Sequence, residues 1–307
     1  MPISVSNLTK IFGRQYAVND LSFEAKQGEI LGFLGPNGAG KTTTMKMICC
    51  YLHKDQGKII VDGLDTDVQP IEVQRKIGYL AEQNPLYKEM YVKEFLEFVA
   101  SIHQLRNKKS RISEVIELTG LEKEQNKIIG TLSKGYKQRV GLAQAIIHDP
   151  TILILDEPTA GLDMNQLLEI RQLIQDLGKE KTVIFSSHIM HEVEALCNKV
   201  VIINNGEKVA DESLVSLQQR MAGSHTTHIL FERFHDGQKE WLDKLKGAIS
   251  VQRQDTGWVV TSTVDTDIRP LIFNEAYQKG ETILEIYNEK ANVEDVFRQL
   301  TKTNGDD

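Results

Sequence analysis

The segment GPNGAGKT at residues 35–42 limits the possible folds of this chain more than any other stretch. It fits the pattern G-x-x-x-x-G-K-[ST] and lies between an apolar run, ILGFLG, and a predicted helix that begins near Lys41. Glycines there let backbone N–H groups close around phosphate oxygens, and the helix adds the positive end of its dipole. A plain glycine-rich turn is the alternative, and the strand–loop–helix context argues against it. The segment therefore predicts a phosphate-binding loop.

The rest of residues 2–206 alternates between apolar strands and amphipathic helices. We predict strands at 3–12, 19–25, 30–35, 57–65, 151–156, 181–187 and 199–206, and helices at 92–102, 111–119, 136–147, 165–177 and 191–197. The continuous apolar run TILILD is typical of a strand covered on both faces. This alternation predicts an α/β domain with a largely parallel sheet.

After Gly206 the pattern loosens, and the tail follows a different order. We predict a linker at 216–225, strands at 226–234, 249–253, 258–263 and 282–287, and helices at 238–245, 268–278 and 293–300. The order β-α-β-β-α-β is the ferredoxin-like one. Residues 226–307 are therefore expected to form a small α+β accessory domain.

Polar residues follow two of the apolar strands and are candidates for chemistry. Asp156 and Glu157 come after ILIL, at the carboxyl end of a parallel strand, where α/β folds bind ligands. Because neighbouring strand residues point in opposite directions, we assign Asp156 to Mg²⁺ and Glu157 to an attacking water. His188 ends the strand TVIFSS and reaches the same edge. A lone histidine is more often structural, but the shared edge favours contact with a terminal phosphate.

Composition narrows the possible partners. The 36 lysines and arginines against 43 acidic residues give a net charge of −7, and the densest basic run, 106–111, is interpreted as a solvated turn. No direct nucleic-acid partner is therefore expected. No apolar run approaches the roughly 18 residues that a spanning helix needs, and the N-terminus lacks a signal-peptide core. We expect a cytoplasmic protein whose three cysteines are reduced thiols.

With LSKGYKQR at 132–139, these motifs resemble those of the nucleotide-binding subunit of ABC transporters, over about residues 1–215. The resemblance implies an ATPase that uses ATP and Mg²⁺. It also implies a mostly parallel sheet with an antiparallel N-terminal subdomain and a helical insert at about 86–150. The predicted nucleotide contacts are Phe12, Gly35, Pro36, Asn37, Gly38, Ala39, Gly40, Lys41, Thr42, Thr43, Gln83, Ser133, Gly135 and Asp163. The predicted metal ligands are Thr42, Gln83 and Asp156, and the predicted catalytic residues are Glu157, His188 and Lys41.

Some of these assignments rest on the resemblance alone. Gln83 in YLAEQNP matches the family's glutamine loop, and Asp163 in AGLD matches the loop that crosses between subunits. Phe12 stands where the family places an aromatic ring that stacks on adenine, with Phe replacing the commoner Tyr. Tyr16 is the alternative for that stacking, and a core position for Phe12 also stays open.

LSKGYKQR predicts a dimer. Ser133 is a good N-cap for the helix that follows, and Gly135 permits close approach to an anion. The octet departs from the family's commonest LSGGQ form at Lys134 and Tyr136. An ordinary capped helix would explain Ser133 but not the whole octet. Because this helix belongs to the insert, one nucleotide would have trouble contacting both it and the 35–42 loop within one chain, whereas a two-fold homodimer resolves the difficulty.

The leading functional hypothesis is the energy-coupling ATPase of an exporter, peripheral on the inner face of the membrane, with separate permease subunits. The form GFLGPNGAGKTTTMKMI is similar to the ABC-2 exporter group, and SVSNLTKIFG with the extra domain resembles gliding-motility-associated ATPases of the GldA type. The alternatives are a soluble ABC ATPase that acts on ribosomes or DNA, and a regulator that uses nucleotide only as a switch. For the C-terminal domain, dimer contact or regulation is favoured over a passive cap.

Overall fold

The computed structural model describes residues 2–221, 225–254, 257–263 and 266–288. The chain divides into two compact units, and the division lies between Leu214 and Val215. In chain order the strands of the first unit are β1 Ile3–Phe12, β2 Gln15–Ala25, β3 Ile30–Leu34, β4 Gln56–Val61, β5 Leu64–Asp65, β6 Ile77–Leu80, β7 Ile152–Asp156, β8 Thr182–Ser187, β9 Lys199–Asn204 and β10 Glu207–Ser213. Its helices are α1 Lys41–Ile48, α2 Pro70–Lys76, α3 Val92–Ile102, α4 Lys108–Leu118, α5 Lys134–Ile146, α6 Met164–Gly178 and α7 Met190–Leu196.

Two sheets form the first unit. One is antiparallel, with the strand order β2-β1-β4-β5. The other has the order β10-β9-β3-β8-β7-β6, and all its strands are parallel except β10. Every residue of β3 and β7 is buried, as their continuous apolar runs predict. Val5, Phe33, Met45 and Ile154 belong to one core that joins both sheets with α1.

The helical insert contains α3, α4 and α5, and its basic run differs from the expectation. The sequence predicts a solvated turn at 106–111, yet α4 begins at Lys108. Arg111 is largely buried, and its guanidinium donates hydrogen bonds to the carbonyls of Ile146 (2.7 Å) and Ile147 (3.0 Å). Arg111 therefore satisfies the carboxyl end of α5, where a helix leaves carbonyls without intrahelical partners.

Four elements of this region have no counterpart in the sequence prediction: α2, β6, β10 and a helix α8, Leu214–Met221. Helix α8 occupies much of the segment predicted as a linker. Its Leu214 and Leu217 are both buried, at the i, i+3 spacing of one helix face. Gly223 and Ser224, which suggested the linker, lie outside the described residues.

The second unit is ferredoxin-like, as predicted. Its elements are β11 His225–Phe231, α9 Gly237–Leu242, β12 Ala248–Gln254, β13 Gly257–Ser262, α10 Arg269–Gln278 and β14 Ile283–Asn288. The antiparallel sheet has the order β12-β13-β11-β14. Trp258, Val260 and Ile272 are buried in its core. The predicted helix at 293–300 lies outside the described residues.

Candidate active site

The 35–42 loop connects the end of β3 to the start of α1, which is the predicted context. Its glycines are required by close backbone packing. Gly40 has φ +104°, and a Cβ there would lie 2.4 Å from the carbonyl oxygen of Ala17. A Cβ on Gly35 would lie 2.5 Å from the carbonyl oxygen of Ile203. Because neither site has room for a side chain, both positions need glycine.

Lys41 is buried at the start of α1, and its charge is held inside the loop. The Nζ atom donates hydrogen bonds to the carbonyls of Gly35 (2.7 Å) and Pro36 (3.2 Å). It also lies 3.6 Å from Oε1 of Glu157. A buried ammonium needs such partners, and all three lie beside the loop. The structure thus brings Lys41 and Glu157 together, although they are far apart in sequence.

A chain of short hydrogen bonds links the loop to the ends of β7 and β8. The Thr42 hydroxyl donates to Oδ2 of Asp156 (2.7 Å), and the Ser186 hydroxyl donates to Oδ1 (2.6 Å). The same Ser186 oxygen accepts from the backbone N–H of Glu157 (2.9 Å). Sequence reasoning missed Ser186, although its place at the end of an apolar strand was a signal. Asp156 is completely buried, and its two oxygens are occupied by hydroxyl donors.

Glu157 forms a pair with His188: Oε2 of the glutamate lies 2.9 Å from Nδ1 of the imidazole. Burial raises the pKa of Glu157, while the charges of His188 and Lys41 pull that pKa down. Its backbone has φ +50°, in the left-handed region that residues other than glycine rarely adopt. Strained backbone of this kind clusters at functional sites. The second carboxylate oxygen, Oε1, is buried and accepts no hydrogen bond from the described residues.

A cavity of about 330 Å³ opens beside the loop. It is lined by Phe12, Gln15, Ala17, Asn37, Gly38, Gly40, Lys41, Thr42, Thr43, Glu82 and Glu157. Phe12, at the end of β1, is 52% exposed, so it is not a core residue. Tyr16 is also exposed but does not line the cavity. On the side of the predicted glutamine loop, the lining residue is Glu82, and Gln83 next to it is exposed.

Ser133, Gly135 and Asp163 lie away from this cavity, at the starts of two neighbouring helices. The Ser133 hydroxyl caps α5 by accepting from the N–H of Tyr136 (3.4 Å). Asp163 caps α6 by accepting from the N–H of Gln166 (3.0 Å). A Cβ on Gly135 would lie 2.4 Å from Oε1 of Gln166. Packing between α5 and α6 therefore accounts for this glycine within one chain.

The family is settled by comparison with known proteins. A family model described as ABC transporter matches residues 18–160. The ABC transporter ATP-binding protein NatA of Bacillus subtilis (strain 168) is 41% identical over 225 residues, which cover 72% of this chain and 92% of NatA. The chain belongs to the ATP-binding subunits of ABC transporters. The Nod factor export ATP-binding protein I of Burkholderia lata is 33% identical to this ABC subunit over 303 residues, or 98% of this chain and 97% of that protein.

A solved structure extends the likeness to three dimensions. The ATP-binding cassette MJ0796, in a dimeric post-hydrolysis state bound to ADP and Pi, matches this ABC subunit with a TM-score of 0.64 and 26% identity. The match covers 69% of this chain and 98% of that one. The ABC subunit is accordingly an ATPase with a phosphate-binding loop. Among the described residues, no helix is both long and apolar enough to cross a membrane.

Proposed function

We propose that this ABC subunit works as a homodimer in which each ATP is held between the 35–42 loop of one chain and Ser133 of the other. The separation of two phosphate-binding features within one chain carries this proposal. The cavity beside the loop does not include Ser133, which is exposed at the start of α5. An exposed helix N-terminus with free N–H groups attracts anions. The similar cassette MJ0796 is dimeric with ADP and Pi, which supports the same arrangement here.

Gly135 and Asp163 are assigned to the same interface, where they have different structural roles. Gly135 is buried against Gln166, so it allows α5 and α6 to pack closely. Asp163 starts α6 beside it. Both residues therefore fix the position of Ser133 relative to the loop that begins after Glu157. In the proposed dimer, the N-terminal ends of α5 and α6 together face the nucleotide bound by the partner chain.

Magnesium fits the oxygen donors next to the loop. The Thr42 hydroxyl and an Asp156 carboxylate oxygen lie 2.7 Å apart, and Mg²⁺ prefers such hard oxygen ligands. We assign Thr42, Asp156 and, from the neighbouring segment, Gln83 to the metal. Bound Mg²⁺ would neutralise charge on the phosphates of ATP.

Hydrolysis is assigned to the residues at the ends of β7 and β8. Glu157 accepts a proton from the attacking water, and its raised pKa makes the carboxylate a stronger base. His188, hydrogen-bonded to Glu157, orients that carboxylate and contacts the terminal phosphate. Lys41 supplies positive charge to the outer phosphates. Phe12 stacks on the adenine, an interaction worth about 1–3 kcal/mol per base.

Transport is assigned to a separate permease, and this ABC subunit supplies the energy from the inner face of the membrane. Support comes from a relative named as a Nod factor export protein, which matches nearly the whole chain. The direction of transport is thus proposed to be outward. The finer resemblance to gliding-motility-associated ATPases stays a prediction.

Mixing two damaged chains tests the shared site. Lys41→Ala damages the loop, and Ser133→Arg blocks the opposing helix start; both chains also carry Glu157→Gln to slow hydrolysis. Each variant alone should stay monomeric with ATP, whereas the mixture should form heterodimers, because one site then combines the two undamaged halves. Ser110→Arg, at an exposed position on α4, is the matched control and should dimerise alone. A mixture that stays monomeric at saturating ATP would refute the shared site.

A further inference from the structure

Glu192 is a buried carboxylate with no role in the site described above. It lies on α7 and is 2% exposed. One of its oxygens, Oε2, accepts two hydroxyl hydrogen bonds, from Thr159 (2.5 Å) and from Ser187 (2.9 Å). Burying a carboxylate costs several kcal/mol unless it is well hydrogen-bonded. An apolar residue could fill the same position without this desolvation cost, so the carboxylate must have a role other than packing.

The two hydroxyl groups come from the two segments that carry Glu157 and His188. Thr159 lies two residues after Glu157, in the turn that leads to α6. Ser187 immediately precedes His188. The single Glu192 oxygen therefore joins the segment of Glu157 to the segment of His188, next to the direct contact between those side chains.

Each segment is also fixed locally, so a change at Glu192 is transmitted to the backbone. The Ser187 hydroxyl accepts from the N–H of Ile189 (3.0 Å), which encloses His188 in a tight turn. On the other segment, the N–H of Leu162 donates to the Thr159 carbonyl (3.3 Å), and the N–H of Ala160 donates to the Glu157 carbonyl (3.1 Å). Glu192 thus adds a buried link between two segments that are also joined by the contact of Glu157 with His188 and by the hydrogen bond from the Glu157 N–H to Ser186.

We propose that Glu192 is a positioning residue that holds the turns of Glu157 and His188 in the register needed for hydrolysis. The inference rests on the proposed role of Glu157 as the base. Because both hydroxyl groups donate to the same oxygen, a shift of either turn changes the hydrogen bond made by the other. Glu192 itself touches neither nucleotide nor water in this scheme.

The test is a set of variants measured for ATPase kcat and KM. Glu192→Ala should lower kcat about tenfold, since misplacement by a fraction of an ångström is costly in catalysis, while KM for ATP changes less than about threefold. Glu192→Gln keeps an acceptor oxygen and should recover most of the rate. Glu194→Gln, on the same helix but partly exposed, is the matched control and should behave as wild type.

The two hydroxyl groups give a sharper readout. Thr159→Val and Ser187→Ala should each lower kcat, and Thr159→Ser should restore the rate. In a Glu192→Ala background Thr159→Val should have no further effect, because the acceptor of its hydroxyl is gone. Ser187→Ala should then have only the smaller effect of removing the acceptor of the Ile189 N–H. A merely structural role would instead lower the melting temperature and leave kcat per folded molecule unchanged, which would overturn the proposal.

The outcome for Glu157 separates this inference from the proposed function. If Glu157→Gln hydrolyses ATP normally, the base assignment fails and the proposal for Glu192 fails with it. If Glu157→Gln is inactive while Glu192→Ala keeps the wild-type kcat, only the positioning role is refuted. If Glu192→Ala does not fold, Thr159→Val and Ser187→Ala still test the positioning role, because each removes one hydrogen bond to Glu192 and leaves the carboxylate in place; wild-type kcat in both would refute it.

Discussion

Mild acid should destabilise the first unit through one histidine, His148, which lies just after α5. Its ring stacks on His103 at the end of α3, with ring centroids 4.0 Å apart and planes 3° from parallel. Nε2 lies 3.1 Å from the carbonyl oxygen of Ile77, at the start of β6, while Nδ1 is buried and has no hydrogen-bond partner among the described residues. His148 therefore joins the helical insert to the parallel sheet, and its neutral form fits this place.

The size of the effect follows from the pKa of His148. Burial, then the neighbouring His103, lowers this pKa from 6.5 to about 4, and the Ile77 carbonyl opposes the change only in part. The folded pKa lies below the unfolded one, so the unfolded state binds more protons between these values. The contribution of neutral His148 to the free energy of unfolding is therefore fully present above about pH 6.5 and is lost as the pH falls towards 4. At ~1.4 kcal/mol per pH unit, the loss by pH 4.5 is about 2 kcal/mol after allowing for the partly exposed ring.

The assay compares wild type with His148→Gln, which keeps a donor for the Ile77 carbonyl. For a unit of this size, about 2 kcal/mol corresponds to roughly 4–8 °C in melting temperature. Between pH 7.5 and 4.5, scanning calorimetry should show the melting temperature of wild type falling by that much more than the melting temperature of the variant. His53→Gln, at an exposed position, tests whether a histidine-to-glutamine change alone alters the profile. An NMR titration giving His148 a pKa near 6.5, or parallel melting curves, would refute the reasoning.

Three further changes test the site and the second unit. Glu157→Gln should lower ATP turnover about 10²–10⁴-fold in a phosphate-release assay, whereas Glu82→Gln on the same cavity wall should not; near-normal turnover would remove Glu157 from the base role. Gly40→Ala should abolish ATP binding by calorimetry, because its Cβ would meet the Ala17 carbonyl, and unchanged affinity would contradict the packing argument. Ile272→Ala should lower the free energy of unfolding of the second unit by about 2–5 kcal/mol. Urea unfolding followed by tryptophan fluorescence measures it, since both tryptophans lie in that unit, and a decrease below about 1 kcal/mol would be inconsistent with the burial of Ile272.

Elements with a strong apolar pattern, either a continuous run or a regular spacing, could be predicted from the sequence. β3 and β7 are short apolar runs, and α3 places Val92, Phe95, Leu96 and Val99 on one buried face. In each case local pattern and final burial agree, because the residues that repeat are those that the core removes from water. The ferredoxin-like order was readable for the same reason.

The missed elements lack such a pattern. β6 is four residues long and contains Gly78, where a Cβ would lie 2.1 Å from the carbonyl of Ala145 in α5. Its glycine reflects a neighbour distant in sequence, not a strand preference. β10 is an edge strand with mostly polar side chains, and Ala210 alone among its residues is buried. By contrast α2 carried an unused signal, Pro70 at its first turn.

The candidate site shows the same division between residue type and geometry. The sequence places Asp156, Glu157 and His188 at one edge because parallel strands end together. Their working arrangement depends on the register of β7 and β8, which pairs Asp156 with Ser186. That register lets one serine hydroxyl donate to Asp156 while it accepts from the N–H of Glu157, whose φ of +50° turns the carboxylate towards His188. Neither a strand register nor a left-handed glutamate has a local sequence signature, so Glu157 and His188 can be named as candidates from sequence but their contact cannot.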